Sequence, residues 1–314
     1  MRVFLTGATG FVGSHLSRTL LRSGHEVYAL VRPEADLTRI RDLMTDLHLL
    51  TGDLASPDLP QRLSSLQPEL CFHLAWYVVP GKYLDAPENL LHLELSLRLL
   101  QALARAGCRR FLGVGTCFEY EPGNAPLSEG SPTRPLQLYS AAKLALAQLL
   151  PHVTGSTGMS AAWARVFYIY GPFEDDRRLV PSVIRSLLAG EPARVTTGEQ
   201  VRDYLHVEDV AGALAALGLS RLEGAVNVGS GQPTTIRTLL MRLGEILGCP
   251  DRILFGAVPA AQGDPPYVCA CNRLLVEGTG FQPRFSLAEG LRHTVEWWTV
   301  RHHAARAGLA PPRS

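Results

Sequence analysis

Thr6-Gly7-Ala8-Thr9-Gly10-Phe11-Val12-Gly13 decides the fold of this chain. Just upstream, residues 3–6 form a short apolar run that reads as a strand. Downstream, residues 11–23 place Val12, Leu16 and Leu20 four apart on one helical face, with Gly24 at the helix C-terminus. Gly7 permits the tight turn, Gly10 lets the backbone approach a pyrophosphate, and Gly13 lets helix and strand pack closely. Phosphates would then rest on the free N–H groups of the helix N-terminus. The glycine loop reads as a dinucleotide site, with Gly7, Thr9, Gly10, Phe11 and Val12 around the cofactor.

Strand candidates follow at 26–31, 47–51, 70–74 and 111–116, alternating with helical stretches. Residues 161–170 and 225–228 read as further buried strands. This alternation predicts an α/β fold: a Rossmann-type, doubly wound parallel sheet with ligands at the carboxyl ends of its strands. Prolines punctuate the chain after Gly171-Pro172, which predicts a smaller α/β C-terminal lobe. The dinucleotide-binding domain is placed at 1–171, with 203–231 returning to it, and the substrate lobe mainly at 172–314. The Ala/Pro/Arg-rich stretch 304–314 is expected to fray.

Thirty Lys and Arg against 29 Asp and Glu leave a net charge of +1, which suggests no nucleic-acid partner. The six cysteines have no metal-ligand spacing, so no metal is expected and a reducing, cytoplasmic setting is. No apolar run approaches the ~18 residues of a membrane span.

Tyr139-Ser140-Ala141-Ala142-Lys143 puts a phenol and an ammonium one helical turn apart. The ammonium stabilises the phenolate, so the phenol can exchange a proton with an alcohol while hydride moves. Together with the GxxGxxG loop, this YxxxK pair resembles the short-chain dehydrogenase/reductase superfamily. Further segments narrow the resemblance to its extended branch, the epimerase/dehydratase group that acts on nucleotide sugars.

That resemblance implies Thr116, Tyr139 and Lys143 as the catalytic set, with Tyr139 and Lys143 also meeting the cofactor. It implies Asp53 and Leu54 near the adenine and His73-Leu74-Ala75 along the cofactor. In Arg165 to Pro172 (RVFYIYGP), Phe167 and Ile169 would face the cofactor and Tyr168 the substrate. Arg202, in RDYLHVED, would meet a diphosphate, with Thr116, Cys117 and Phe118 also against substrate. The departures from the family pattern are informative. Cys117-Phe118 replaces the acid–base pair of dehydratases, which argues against 4,6-dehydration. Tyr168 replaces an Asn that reaches phosphates, Ala260-Ala261-Gln262 lacks a second diphosphate Arg, and His92 replaces an Asn. Arg177, Arg178 and Arg185 are candidates to compensate.

The second strand ends at Val31 with no acidic residue, and Arg32 follows. That favours NADP, with NAD possible, since Arg32 can pair with a 2′-phosphate. On that basis a 4-keto-sugar reductase is favoured over a nucleotide-sugar 4-epimerase, and both over a non-catalytic nucleotide-binding protein. The leucine-rich stretch 88–106 is apolar nearly all round and suggests a homodimer.

Overall fold

The computed structural model describes residues 1–261 and 263–307. Strands β1 (Arg2–Thr6), β2 (Glu26–Val31), β3 (His48–Thr51), β4 (Leu70–His73), β5 (Arg110–Thr116) and β6 (Ser160–Val166) belong to one sheet. Its order is β10-β6-β5-β4-β1-β2-β3, all pairs parallel, with β10 (Gly224–Val228) added beside β6. Successive strands are added in one direction from β1 to β3 and in the other from β4 onward, so the switch point lies between β1 and β4 and the ligand crevice over their carboxyl ends.

Helix α1 (Phe11–Arg22) packs on one face with α6 (Val207–Leu219). The other face carries α2 (Leu59–Leu66), α3 (Glu88–Arg105) and α4 (Leu138–Thr157). Both faces are covered, which is why the strands read as continuous apolar runs. Gly13 makes the first crossover possible: a Cβ there would sit 2.0 Å from the Gly7 carbonyl oxygen.

The stretch expected as one strand at 161–170 is two. After β6, Phe167 donates its N–H to the Val228 carbonyl at 3.0 Å, and β7 (Tyr168–Tyr170) leaves the large sheet to pair with β9 (Val201–His206). An apolar run cannot reveal this break, because both halves are buried and both are β. Strand β9 also pairs with β11 (Pro233–Thr235) and β13 (Tyr267–Val268), forming a second small sheet. A third core gathers α5 (Leu179–Leu188), α7 (Ile236–Ile246), α9 (Leu287–Arg306) and the pair β8 (Ala193–Val195) and β12 (Ile253–Phe255). Helix α8 (Arg273–Thr279) lies against β10 and α6. Residues 304–306 complete α9, while 308–314 of the expected frayed tail lie outside the described residues.

Candidate active site

The glycine loop is shaped for close approach of a ligand backbone. Gly7 has φ +79°, and a Cβ on it would lie 2.8 Å from the Ala75 nitrogen. Gly10 N donates to Gly7 O at 3.0 Å, and Gly10 is the N-cap of α1 with no side chain over the helix end. The first turn of α1 holds no acidic residue, so its free N–H groups suit a pyrophosphate and the dinucleotide fits. Arg39 bridges this loop to the segment after β7: Nη1 lies 3.5 Å from the Thr9 carbonyl and Nε donates to Phe173 O at 3.1 Å. Phe11 and Val12 are half-buried at the start of α1, whereas Arg32 and Asp53 are exposed. Asp53 accepts from Ala55 N at 2.8 Å, and half-buried Leu54 packs beside α2.

His73 is held by the fold on both sides of its ring. Its ring is buried, with Nδ1 2.8 Å from Thr6 Oγ1 and Nε2 2.8 Å from Ser96 Oγ. Burial lowers its pKa to about 3, so it is neutral. Both ring nitrogens are engaged, and His73 ties β4 to β1 and α3. Leu74 and Ala75, both half-buried after β4, are the members of that stretch beside the glycine loop.

Thr116, Tyr139 and Lys143 come together at the carboxyl end of β5. Gly113 and Gly115 of β5 make room behind them: a Cβ on Gly115 would meet Trp163 Nε1 at 2.2 Å and Glu119 Oε1 at 2.3 Å. Glu119 is buried there, accepting from Arg165 Nε at 2.7 Å, Trp163 Nε1 at 3.0 Å and Thr116 N at 2.9 Å. The Thr116 hydroxyl accepts from Phe118 N at 3.3 Å, which leaves its proton to donate. It is among the groups that act on the Tyr139 phenol, whose pKa burial pushes well above the usual range. Lys143 donates to the Val114 carbonyl, and burial holds its pKa below the usual lysine range, with Glu119 opposing.

Beyond Thr116 the site turns apolar and aromatic. Buried Cys117 packs with Tyr120, Leu127 and Phe167, and burial pushes its thiol pKa up to about 12. Phe118 meets Tyr168 edge-on at 6.2 Å, and Tyr168 tilts against Tyr204 at 5.7 Å. Ile169 packs against the main core. Arg202 is buried, with Nη2 2.6 Å from Asp264 Oδ1 and Nη1 donating to the carbonyls of Val201 and Pro265. Asp264 also lines a cavity of about 340 Å³ with Leu179, Ser182, Val195, Thr196 and Ile236.

The three candidate arginines separate. Arg177 pairs with Asp175 at 2.8 Å and Arg185 with Asp176 at 2.7 Å. Arg178, half-buried at the N-terminus of α5, has no ion pair among the described residues and lies 5.4 Å over the Tyr83 ring. Tyr83 in turn meets Tyr139 edge-on at 4.9 Å. Tyr83 and the Glu119–Arg165 pair escape sequence reasoning because their partners are 46 or more positions away.

A glycine-loop Rossmann sheet with a Thr–Tyr–Lys cluster at the end of β5 defines an extended short-chain dehydrogenase. The chain belongs to the NAD dependent epimerase/dehydratase family, whose profile matches residues 3–229. It is 30% identical to UDP-glucose 4-epimerase of Mycolicibacterium smegmatis, over 95% of this chain and 98% of that protein. It is 28% identical to UDP-glucuronic acid decarboxylase 1 of Xenopus tropicalis, over 99% of this chain and 76% of that one. The structure of MoeE5 in complex with UDP-glucose and NAD superposes with a TM-score of 0.82 at 31% identity, covering 96% of this chain and all of that one.

Proposed function

We propose that this chain is an NAD-dependent 4-epimerase of a UDP-linked hexose. The observation that carries the reading is the single acid–base group at the reacting end. Tyr139 stands there with Thr116, while Cys117 and Phe118 offer no carboxylate for elimination and Glu119 is committed to Arg165. Such a site can move one proton with one hydride and do little else. Full-length likeness to a UDP-glucose 4-epimerase, and to a protein that binds UDP-glucose and NAD, supports the epimerase over the keto-sugar reductase expected from Arg32.

Bound NAD would supply the hydride acceptor and donor. Tyr139 takes the proton of the sugar 4-hydroxyl as C4 loses its hydride and later returns it to the same oxygen, with inversion following because the turned ring would present its opposite face of C4 to the returning hydride. Thr116 donates to the reacting oxygen, and the Lys143 ammonium stabilises the phenolate. Arg202, exchanging Asp264 for the diphosphate, would anchor the nucleotide, with the nucleoside in the cavity beside α5. Arg178 lies on the sugar side and can meet the second phosphate. The tyrosine wall of Tyr168, Tyr204 and Tyr83 offers aromatic faces and hydroxyls to a turning sugar ring.

The test is to incubate the protein with UDP-galactose and catalytic NAD. An equilibrium mixture with UDP-glucose and no net reduction of cofactor is the expected result. The reductase keeps one observation in its favour, the lack of a carboxylate beyond Val31, where Arg32 stands exposed. Tighter binding of NADPH than NADH, with stoichiometric oxidation by a 4-keto-sugar, would replace the epimerase with it. Self-association also belongs to this reading. Leu90 and Leu91 of α3 are 56% and 50% exposed, and Leu149 of α4 is exposed too. A dimer by light scattering at micromolar concentration is expected, and a monomer would refute it.

A further inference from the structure

The residue after Leu74-Ala75 is Trp76, and neither the glycine loop nor the Tyr–Lys pair requires an indole there. The Lys143 Nζ lies 4.4 Å from the centroid of its ring. His92 of α3 stacks on the same indole at 5.6 Å and 30°. Trp76 Nε1 donates to Asn89 Oδ1 at 2.8 Å. Asn89 is fully buried and donates to the carbonyls of Tyr83 at 2.7 Å and Ala86 at 2.8 Å. Tyr83 packs on Tyr139, and Tyr139 N donates to Leu84 O at 2.8 Å. One connected frame, built from residues 76–89, touches both members of the Tyr–Lys pair.

We propose that Trp76 is a positioning residue: its indole face holds the Lys143 ammonium beside Tyr139 through a cation–π contact, and Asn89 fixes the plane of the ring. A buried ammonium needs compensation for the water it loses. Lys143 has the Val114 carbonyl but no carboxylate within ion-pair distance among the described residues. The charged and titratable groups facing it come from four other elements and from α4 itself. Glu119 stands in the turn after β5, already tied to Arg165 of β6. His73 of β4 and His92 of α3 both have pKa values lowered by burial and by Lys143 itself. Tyr139 is its neighbour on α4, with Nζ 5.4 Å from the phenol ring centroid. Only Glu119 is acidic, and its charge is shared with a guanidinium. The remaining stabilisation of the ammonium falls to aromatic faces, and among them the Trp76 ring at 4.4 Å is nearer than Tyr139 at 5.4 Å or Trp163 at 6.0 Å.

The inference rests on Lys143 being the partner of Tyr139, but its test needs no substrate. The chain has two lysines, Lys82 and Lys143. Labelling with 13Cε-lysine therefore gives two NMR signals, assigned by Lys82→Arg, and the Lys143 midpoint is read directly as pH is varied. Trp76→Leu should lower that midpoint by roughly one pH unit. Trp76→Phe, which keeps a weaker ring and loses the bond to Asn89, should lower it by less. An unchanged midpoint in either folded variant overturns the proposal. Should Trp76→Leu fail to fold by circular dichroism, the Phe variant decides alone. With UDP-galactose as substrate, Trp76→Phe should lower kcat several-fold at neutral pH while leaving KM within about twofold. A wild-type protein that epimerises nothing would sink the proposed function and leave the lysine titration readable.

Discussion

Two buried cations, one at each of the two larger sheets, are held in opposite ways. Arg202, on the small sheet, has a carboxylate at 2.6 Å and two backbone carbonyls. Lys143, at the end of the large sheet, has one carbonyl and aromatic faces, the Trp76 indole nearest. A guanidinium with a carboxylate partner keeps its charge under all ordinary conditions and can exchange one anion for another. A lysine without one has a charge that its surroundings can tune. The first arrangement suits gripping a substrate that is always anionic. The second suits a proton that must move within each turnover.

The comparison breaks most readily at the reacting end. Tyr139→Phe should lower turnover by about 10³-fold or more while cofactor affinity stays within about twofold, since only the exchanged proton is lost. Lys143→Met should lower turnover comparably, and a cofactor titration should show weakened binding as well. Retention of most activity by Tyr139→Phe would remove the acid–base assignment.

Arg202→Leu tests the anchoring end. It should raise KM for the nucleotide sugar by roughly 10- to 100-fold, the worth of a charge-assisted hydrogen bond, with kcat much less affected. Asp264→Asn sharpens the point, because it frees the guanidinium and should lower KM. If both variants raised KM equally, the pair would be a structural tie and no phosphate anchor.

A third titratable group, the Glu174 carboxyl after β7, gives the smallest effect. Burial pushes its carboxyl up to about 8, with Arg178 opposing, and its Oε2 has no hydrogen-bond partner among the described residues. A carboxyl raised in the folded state is ionised at a cost that begins above its ordinary value of 4.5 and is complete above about 8. Glu174→Gln escapes that cost. Its Tm should match wild type near pH 4.5 and exceed it by a few degrees near pH 8.5. A gap that stays constant across this range would place Glu174 in water.

The parts of this site read directly from the sequence are those whose neighbours lie within about one turn or one crossover. Gly7, Gly10 and Gly13 declare a tight loop, because a Cβ at Gly7 or Gly13 meets backbone. Tyr139 and Lys143 share a helix face because four residues make about one turn. Thr116 ends a strand in either reading. His73 shows what a motif leaves open, since only the fold reveals that its ring is held between Thr6 and Ser96. The break at Phe167 escaped because a strand changing sheets keeps its apolar pattern.

Long-range pairing accounts for the rest. Arg202 carries the same letter whether Asp264 or a phosphate neutralises it, and those two residues are 62 positions apart. Trp76 reads as one more apolar residue until folding lays it under Lys143, 67 positions later. Local spacing decides which groups can share an element. Which charge ends up beside a carboxylate, and which beside an aromatic face, depends on how those elements cross, and no period in the chain encodes that.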